Sequence, residues 1–301
     1  MKRLVFLIVG LLAFAGNSYA RMSISVLDFG STDFGKLVAE KLAAHLKAEP
    51  EFSVADADLS RSAAIGVGYA GSLNLTLTEA RDLGSALATD YYLLGDAQLL
   101  RRSSFDKPVY FEAYCSVFLV SARTGRLLLW ERPSFTNLFS VQARDLLLKE
   151  ITNGELSHRL VLATRRANED ERIQRAVIST ASAPVIEEAP DDEKTAEAQG
   201  LRLPRPFRRL RPEYPDTAAR AEAEATVDVL VDVNAEGEVG EVQIVRWAGF
   251  GLDEATIATV RQLHFFPAMK NGAAIPMRVL LRYNFRKPPP KVAQVINGRG
   301  S

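Results

Sequence analysis

The chain has 301 residues, 47% hydrophobic and 25% charged, with 37 basic residues against 37 acidic ones. That length allows two small domains with separate cores, and the neutral balance removes the electrostatic case for bulk nucleic-acid binding. A single cysteine, Cys115, excludes an internal disulfide, and on its strand-like stretch it reads as a small buried filler with no base beside it.

Residues 1–20 read as a signal peptide. Lys2 and Arg3 supply the charged start, Leu4 to Ala15 an apolar run broken by Gly10, and Ser18-Tyr19-Ala20 the small residues of a cleavage site. The run is shorter than the ~20 apolar residues of a spanning helix. A periplasmic protein starting at Arg21 is therefore expected, and retention of residues 4–15 as an inner-membrane anchor is the alternative. No cysteine stands near the cleavage site, so lipid anchoring has no support.

Residues 21–163 read as one α+β domain. Ile24 to Phe29 is a short strand, and Asp33 is placed to cap a helix carrying Phe34, Leu37, Val38, Leu42 and Leu46. Phe52 to Ala57 is a second strand and Gly66 to Thr76 a loop. Thr76 and Glu79 have capping-box spacing for a helix over Leu77 to Ala88. Strands follow at Tyr91 to Leu100, Val109 to Ser121 and Arg126 to Glu131. Val141 to Leu162 is helical, interrupted at Asn153-Gly154.

Residues 164–211 change character. A polar helical stretch ends near Ile178, then an acidic block (Glu187, Glu188, Asp191, Asp192, Glu193, Glu197) precedes a basic one (Arg202, Arg205, Arg208, Arg209, Arg211), with prolines throughout. This composition predicts a partly disordered linker. The two blocks either fold onto each other or stay solvated separately.

Three sequence patterns suggest chemistry and fail on context. Gly66-Val67-Gly68-Tyr69-Ala70-Gly71 has the dinucleotide glycine spacing, but Ser72 to Thr76 alternates like an extended segment where a helix is needed. A nucleotide-dependent exported enzyme is therefore the least favoured reading. Asp28-Phe29-Gly30 lacks the other kinase elements. His45, His158 and His264 lie in different elements without ligand spacing, and packing is expected to explain His264. No catalytic residue, metal site or cofactor is expected.

The last stretch, 212–286, is the most regular, and 287–301 is expected to be a disordered tail. Val227, Val229, Val231 and Val233 share one face of a strand over Ala225 to Val233, and Gly237 supplies a hairpin turn into Val239 to Arg246. Asp253 is placed to cap a helix over Glu254 to Leu263, which offers Ala255, Ile257, Ala258 and Val260 to the sheet. Leu263, Phe265 and Phe266 close the core, and Pro276 to Phe285 is a final strand.

Tyr214-Pro215, Gly237, Leu252-Asp253-Glu254-Ala255, Phe266-Pro267-Ala268, Asn271-Gly272 and Pro276 fall in the order of the TonB family's C-terminal domain, which 212–286 resembles. Glu79 to Gly84, Thr89 to Gly95 and Thr124 to Trp130 resemble the N-terminal domain of TolB and related periplasmic modules, which implies a mixed sheet with helices on one face. The overall fold expected is α+β with two small domains, the second an antiparallel sheet with one packed helix. The TonB resemblance implies capture of an outer-membrane receptor's TonB-box-like peptide by strand addition, without enzymatic chemistry. The candidate edge is Arg278, Val279, Leu280, Leu281, Arg282 and Tyr283. Arg278 and Arg282 either select acidic or polar residues in that peptide or protect a bare edge from pairing with copies.

The family pattern is departed from in three places. The N-terminal segment looks cleavable, a folded domain replaces the proline-rich stalk, and Ala225 stands where glycine is frequent. The first two put energy coupling in doubt. The readings are a periplasmic adaptor, with an envelope partner for its N-terminal domain, or a full energy transducer that contacts inner-membrane motor proteins if residues 1–20 stay uncleaved.

Overall fold

The computed structural model describes residues 21–103, 109–153, 155–178, 186–190 and 193–287; the expected signal segment, the tail from 288 onward and part of the expected linker lie outside them. β1 (Met22–Val26) leads into α1 (Asp33–Ala48). Thr32, not Asp33, caps that helix, its hydroxyl accepting from the Gly35 N–H at 3.0 Å. Asp33 sits in the first turn, where its charge meets the helix dipole. β2 (Phe52–Val54) is shorter than expected, because Asp56 turns the chain and accepts from the N–H groups of Asp58 and Leu59 to start α2 (Ala57–Gly66).

Next come α3 (Leu77–Leu87), β3 (Tyr91–Arg102), β4 (Tyr110–Ser121), β5 (Leu127–Glu131), β6 (Ser134–Asn137), α4 (Ser140–Asn153) and α5 (Leu156–Ile178). The strands form a mixed sheet of order β2-β1-β3-β4-β5, with β6 also on β4; β1 runs parallel to both neighbours and the remaining pairs are antiparallel. Period-2 alternation sends Tyr91, Leu93 and Ala97 of β3 to one side and Tyr92 and Leu94 to the other. The first side packs against Leu42 and Leu46 of α1, Leu147 and Ile151 of α4 and Leu160 of α5. The second packs against Ala80, Leu83 and Leu87 of α3 and Ala64 of α2. Helices therefore cover both faces, not one. Cys115 is fully buried in the first core, and burial holds its thiol pKa up.

The C-terminal half begins within the segment whose composition predicts a linker. β7 (Glu187–Glu188), α6 (Glu193–Ala198), β8 (Leu201–Arg202), β9 (Arg205–Pro206) and α7 (Asp216–Ala221) precede β10 (Ala225–Val233). Then follow β11 (Val239–Arg246), α8 (Leu252–Val260), β12 (Phe265–Phe266), β13 (Ala268–Lys270), β14 (Ala273–Ile275) and β15 (Met277–Phe285). The main sheet has order β11-β10-β15-β7, while β8 pairs with β13 and β9 with β12. Ala196, Leu201, Leu203 and Leu210 reach the core formed by Val229, Val231, Val233, Val260, Leu263, Phe265, Met277 and Val279. A segment too poor in apolar residues to fold alone folds here as an annex to another core.

The two halves are docked. Trp247, just past β11, is 2% exposed among Leu77, Leu83, Tyr92 and Phe118 of the N-terminal half. Its ring lies 6.0 Å from Phe118, and its indole N–H donates to the Gly125 carbonyl at 3.0 Å. Phe250 packs edge-on to Phe118 at 5.4 Å. The Asn74 amide donates to the carbonyls of Thr226 (2.8 Å) and Trp247 (2.6 Å) and accepts from the Thr226 N–H (3.0 Å), knitting three chain segments together.

Candidate peptide-docking edge

β10 lies at the centre of the C-terminal sheet, between β11 and β15, so the strand expected to receive a peptide has its far border away from β10. The nine residues of β15 pair antiparallel with β10 without a break, from Ala225↔Phe285 to Val233↔Met277. Met277, Val279 and Phe285 are buried on the core face, while Leu280 on the other face is 53% exposed.

Backbone direction identifies which residues could receive a partner strand. The Arg278 carbonyl accepts from the Ala189 N–H at 2.8 Å, so Arg278 points its backbone groups away from β10. A strand residue's N–H and C=O point to the same side and alternate along the strand. Leu280, Arg282 and Asn284 therefore share the outward set with Arg278, while Val279, Leu281 and Tyr283 turn theirs toward β10. Of the six residues expected at the edge, half present backbone groups to it. β7 pairs parallel with Met277 and Arg278, and beyond Arg278 no described strand pairs with that border.

The two arginines on this strand have partners within the sheet. Arg278 grips Asp232 at 2.6 and 2.8 Å, and Arg282 grips Asp228 at 2.7 and 2.9 Å. Arg246 adds a third bond to Asp228 at 3.2 Å. Burial of Asp228, 3% exposed, raises its carboxyl pKa, but Arg282 and Arg246 outweigh that and hold it below the usual range. The carboxylate bonds raise the pKa of both Arg278 and Arg282. Both arginines, expected either to select the peptide or to protect a bare edge, are thus engaged in cross-strand pairs. The signal was present: aspartates four apart on β10 and arginines four apart on β15 meet in reversed order, as antiparallel strands require.

Several of the remaining family-motif residues shape turns and element ends. Tyr214 donates its hydroxyl to the Ala223 carbonyl at 2.7 Å, and Pro215 stands at the N-cap of α7. Gly237 has φ +83°, and a Cβ there would overlap the Phe265 carbonyl oxygen. Asn271 and Gly272, at φ 52° and 85°, form the two-residue loop joining β13 to β14.

Asp253 does not cap α8. Gly251 holds that position, and Asp253 inside the helix accepts from the N–H groups of Ala248 (2.9 Å) and Gly249 (2.8 Å). Burial pushes its carboxyl up to about 7, against the pull of those two bonds. The helix buries Leu252, Asp253, Thr256 and Val260, not the expected Ala255, Ile257 and Ala258. Phe266 is 57% exposed and packs on Phe207 at 4.3 Å instead of closing the core with Phe265. Pro267 lies between β12 and β13. His264 is exposed, not packed, and its carbonyl accepts from the Phe207 N–H at 2.8 Å.

The glycine pattern at Gly66 follows α2, not a strand, so the geometry that cradles a pyrophosphate is missing there. Among the described residues no group of His, Cys, Asp and Glu is arranged to hold a metal ion. No described helix is long and apolar enough to cross a membrane. A cleft of about 430 Å3 separates β5 from β11 and α8, lined by Leu127, Leu129, Trp130, Val242, Ile244 and Ile257 among others.

The family described as Gram-negative bacterial TonB protein C-terminal matches residues 211–286. No curated protein is similar enough to count as a relative. Among solved structures, the TonB C-terminal domain of Pseudomonas aeruginosa is 20% identical, covering 29% of this chain and 88% of that one with a TM-score of 0.25. Lipoprotein GNA1162 of Neisseria meningitidis is 14% identical over 50% of this chain and 99% of its own, with a TM-score of 0.29. The LpoB C-terminal domain of Salmonella enterica is 15% identical over 39% and 85%, with a TM-score of 0.27. The N-terminal part is similar to lipoprotein-like folds of this kind, not to TolB specifically. Residues 211–286 are thus a TonB-like C-terminal domain within a longer chain.

Proposed function

We propose that the protein is a non-enzymatic periplasmic adaptor that captures an extended peptide by strand addition to β15. The N-terminal segment of a TonB-dependent outer-membrane receptor is the intended class of partner. The N-terminal half, docked through Trp247, is the part that engages a second envelope protein. One observation carries the reading: Leu280, Arg282 and Asn284 turn their backbone groups to the stretch of border beyond Arg278, with which no described strand pairs. Such a border offers main-chain bonds for affinity, and flanking side chains choose the sequence. The family match at 211–286 supports the partner class.

The test uses synthetic peptides copying receptor N-terminal segments, titrated against the full chain by calorimetry. Leu280→Pro removes an outward N–H without touching the β10 ladder, and should weaken binding by roughly tenfold or more. Leu280→Thr keeps the N–H and should bind like the parent. Equal affinity of the proline variant and the parent would show that β15 is not the docking strand.

A further inference from the structure

The docking border is not bare along its whole length. Glu187 and Glu188 of β7 lie opposite Met277 and Arg278, parallel to β15, and the Ala189 N–H donates to the Arg278 carbonyl at 2.8 Å. The Glu187 carboxylate accepts from the Lys270 ammonium at 3.0 and 3.1 Å. Ala189 packs against the C-terminal core, whereas the side chains of Glu187 and Glu188 are exposed.

We propose that β7 is a built-in plug: a segment of the chain itself that holds the first stretch of the β15 border and gives way to an acidic, extended peptide. This rests on the reading of β15 as the docking strand. The pairing is short, two residues against the nine that join β15 to β10, so few main-chain bonds hold it. What keeps it in place is covalent tethering, which gives a cis segment an effective concentration in the millimolar range. A peptide in solution competes for the same Arg278 backbone groups and the same Lys270 ammonium, so the plug also describes the ligand it excludes. That ligand carries a carboxylate opposite Met277. Arg278 and Arg282 do not supply the recognition, because Asp232 and Asp228 already engage them.

The experiment uses the full chain and a fluorescein-labelled peptide copying residues 186–190. Ala189→Pro removes the N–H that bonds to Arg278, and Glu187→Lys reverses the charge facing Lys270. Each variant should speed amide exchange at Arg278 by at least tenfold and raise affinity for the labelled peptide by a similar factor. Unchanged Arg278 exchange in both variants overturns the plug, whatever the peptide does. Faster exchange without tighter binding than a parent that binds also overturns it, since the border was then not obstructed. If neither parent nor variants bind this peptide or any receptor peptide while Arg278 is deprotected, the docking reading itself falls and the plug has nothing to regulate.

Discussion

Gly237 and Gly272 both sit at positive φ, yet their surroundings make them unequal. A Cβ on Gly237 would meet the Phe265 backbone, which cannot move because the Phe265 N–H donates back to the Gly237 carbonyl at 2.8 Å. A Cβ on Gly272 would meet nothing within 4 Å. Gly237→Ala should therefore cost about 2–4 kcal/mol, combining left-handed strain with a backbone clash. Gly272→Ala should cost only about 1 kcal/mol, the conformational part alone. Urea denaturation of the two variants measures the difference directly, and equal midpoints would remove the clash from the account.

Among the elements, α3 starts on a reciprocal cap. The Glu79 N–H donates to the Thr76 hydroxyl oxygen at 3.1 Å, and the Thr76 N–H donates to the Glu79 carboxylate at 2.7 Å. Thr76 is also bridged to Arg246, so this cap lies at the seam between the halves. Thr76→Ala should lower stability by ~1 kcal/mol, and Thr76→Ser should restore most of it, both read by chemical denaturation. This element was legible because capping is local: a Thr and a Glu three apart state the helix start without reference to the rest of the chain. The β10–β11 hairpin was legible for the same reason, through alternating valines and one glycine. α2 was missed because its apolar signal is thin, with only Ser60 and Ala64 buried, although Asp56 marked its start. Helices on both faces of the N-terminal sheet and the annex formed by 193–210 both depend on distant segments. Composition could not disclose them. β15 was legible as a strand from its own alternation, but which of its backbone groups face outward required the Ala189 N–H bond to the Arg278 carbonyl.

At the scale of the whole molecule, the halves behave as one packed object because an indole crosses between them. Trp247 fills a site among N-terminal side chains and bonds to Gly125, while its own backbone N–H donates to the Leu75 carbonyl at 3.2 Å. Trp247→Ala should cost about 3–5 kcal/mol of coupling and should split a single unfolding transition into two. Scanning calorimetry of the full chain distinguishes the outcomes; one undivided transition in the variant would mean that the polar contacts of Asn74 suffice. The crossing indole also matters mechanically. Tension drawn along β15 would load its ladder to β10 in shear, with every rung sharing the strain, and would pass through β11 to the indole. A tug on the C-terminal sheet is thus delivered to the middle of the N-terminal one, so the tryptophan is a rivet as well as a filler.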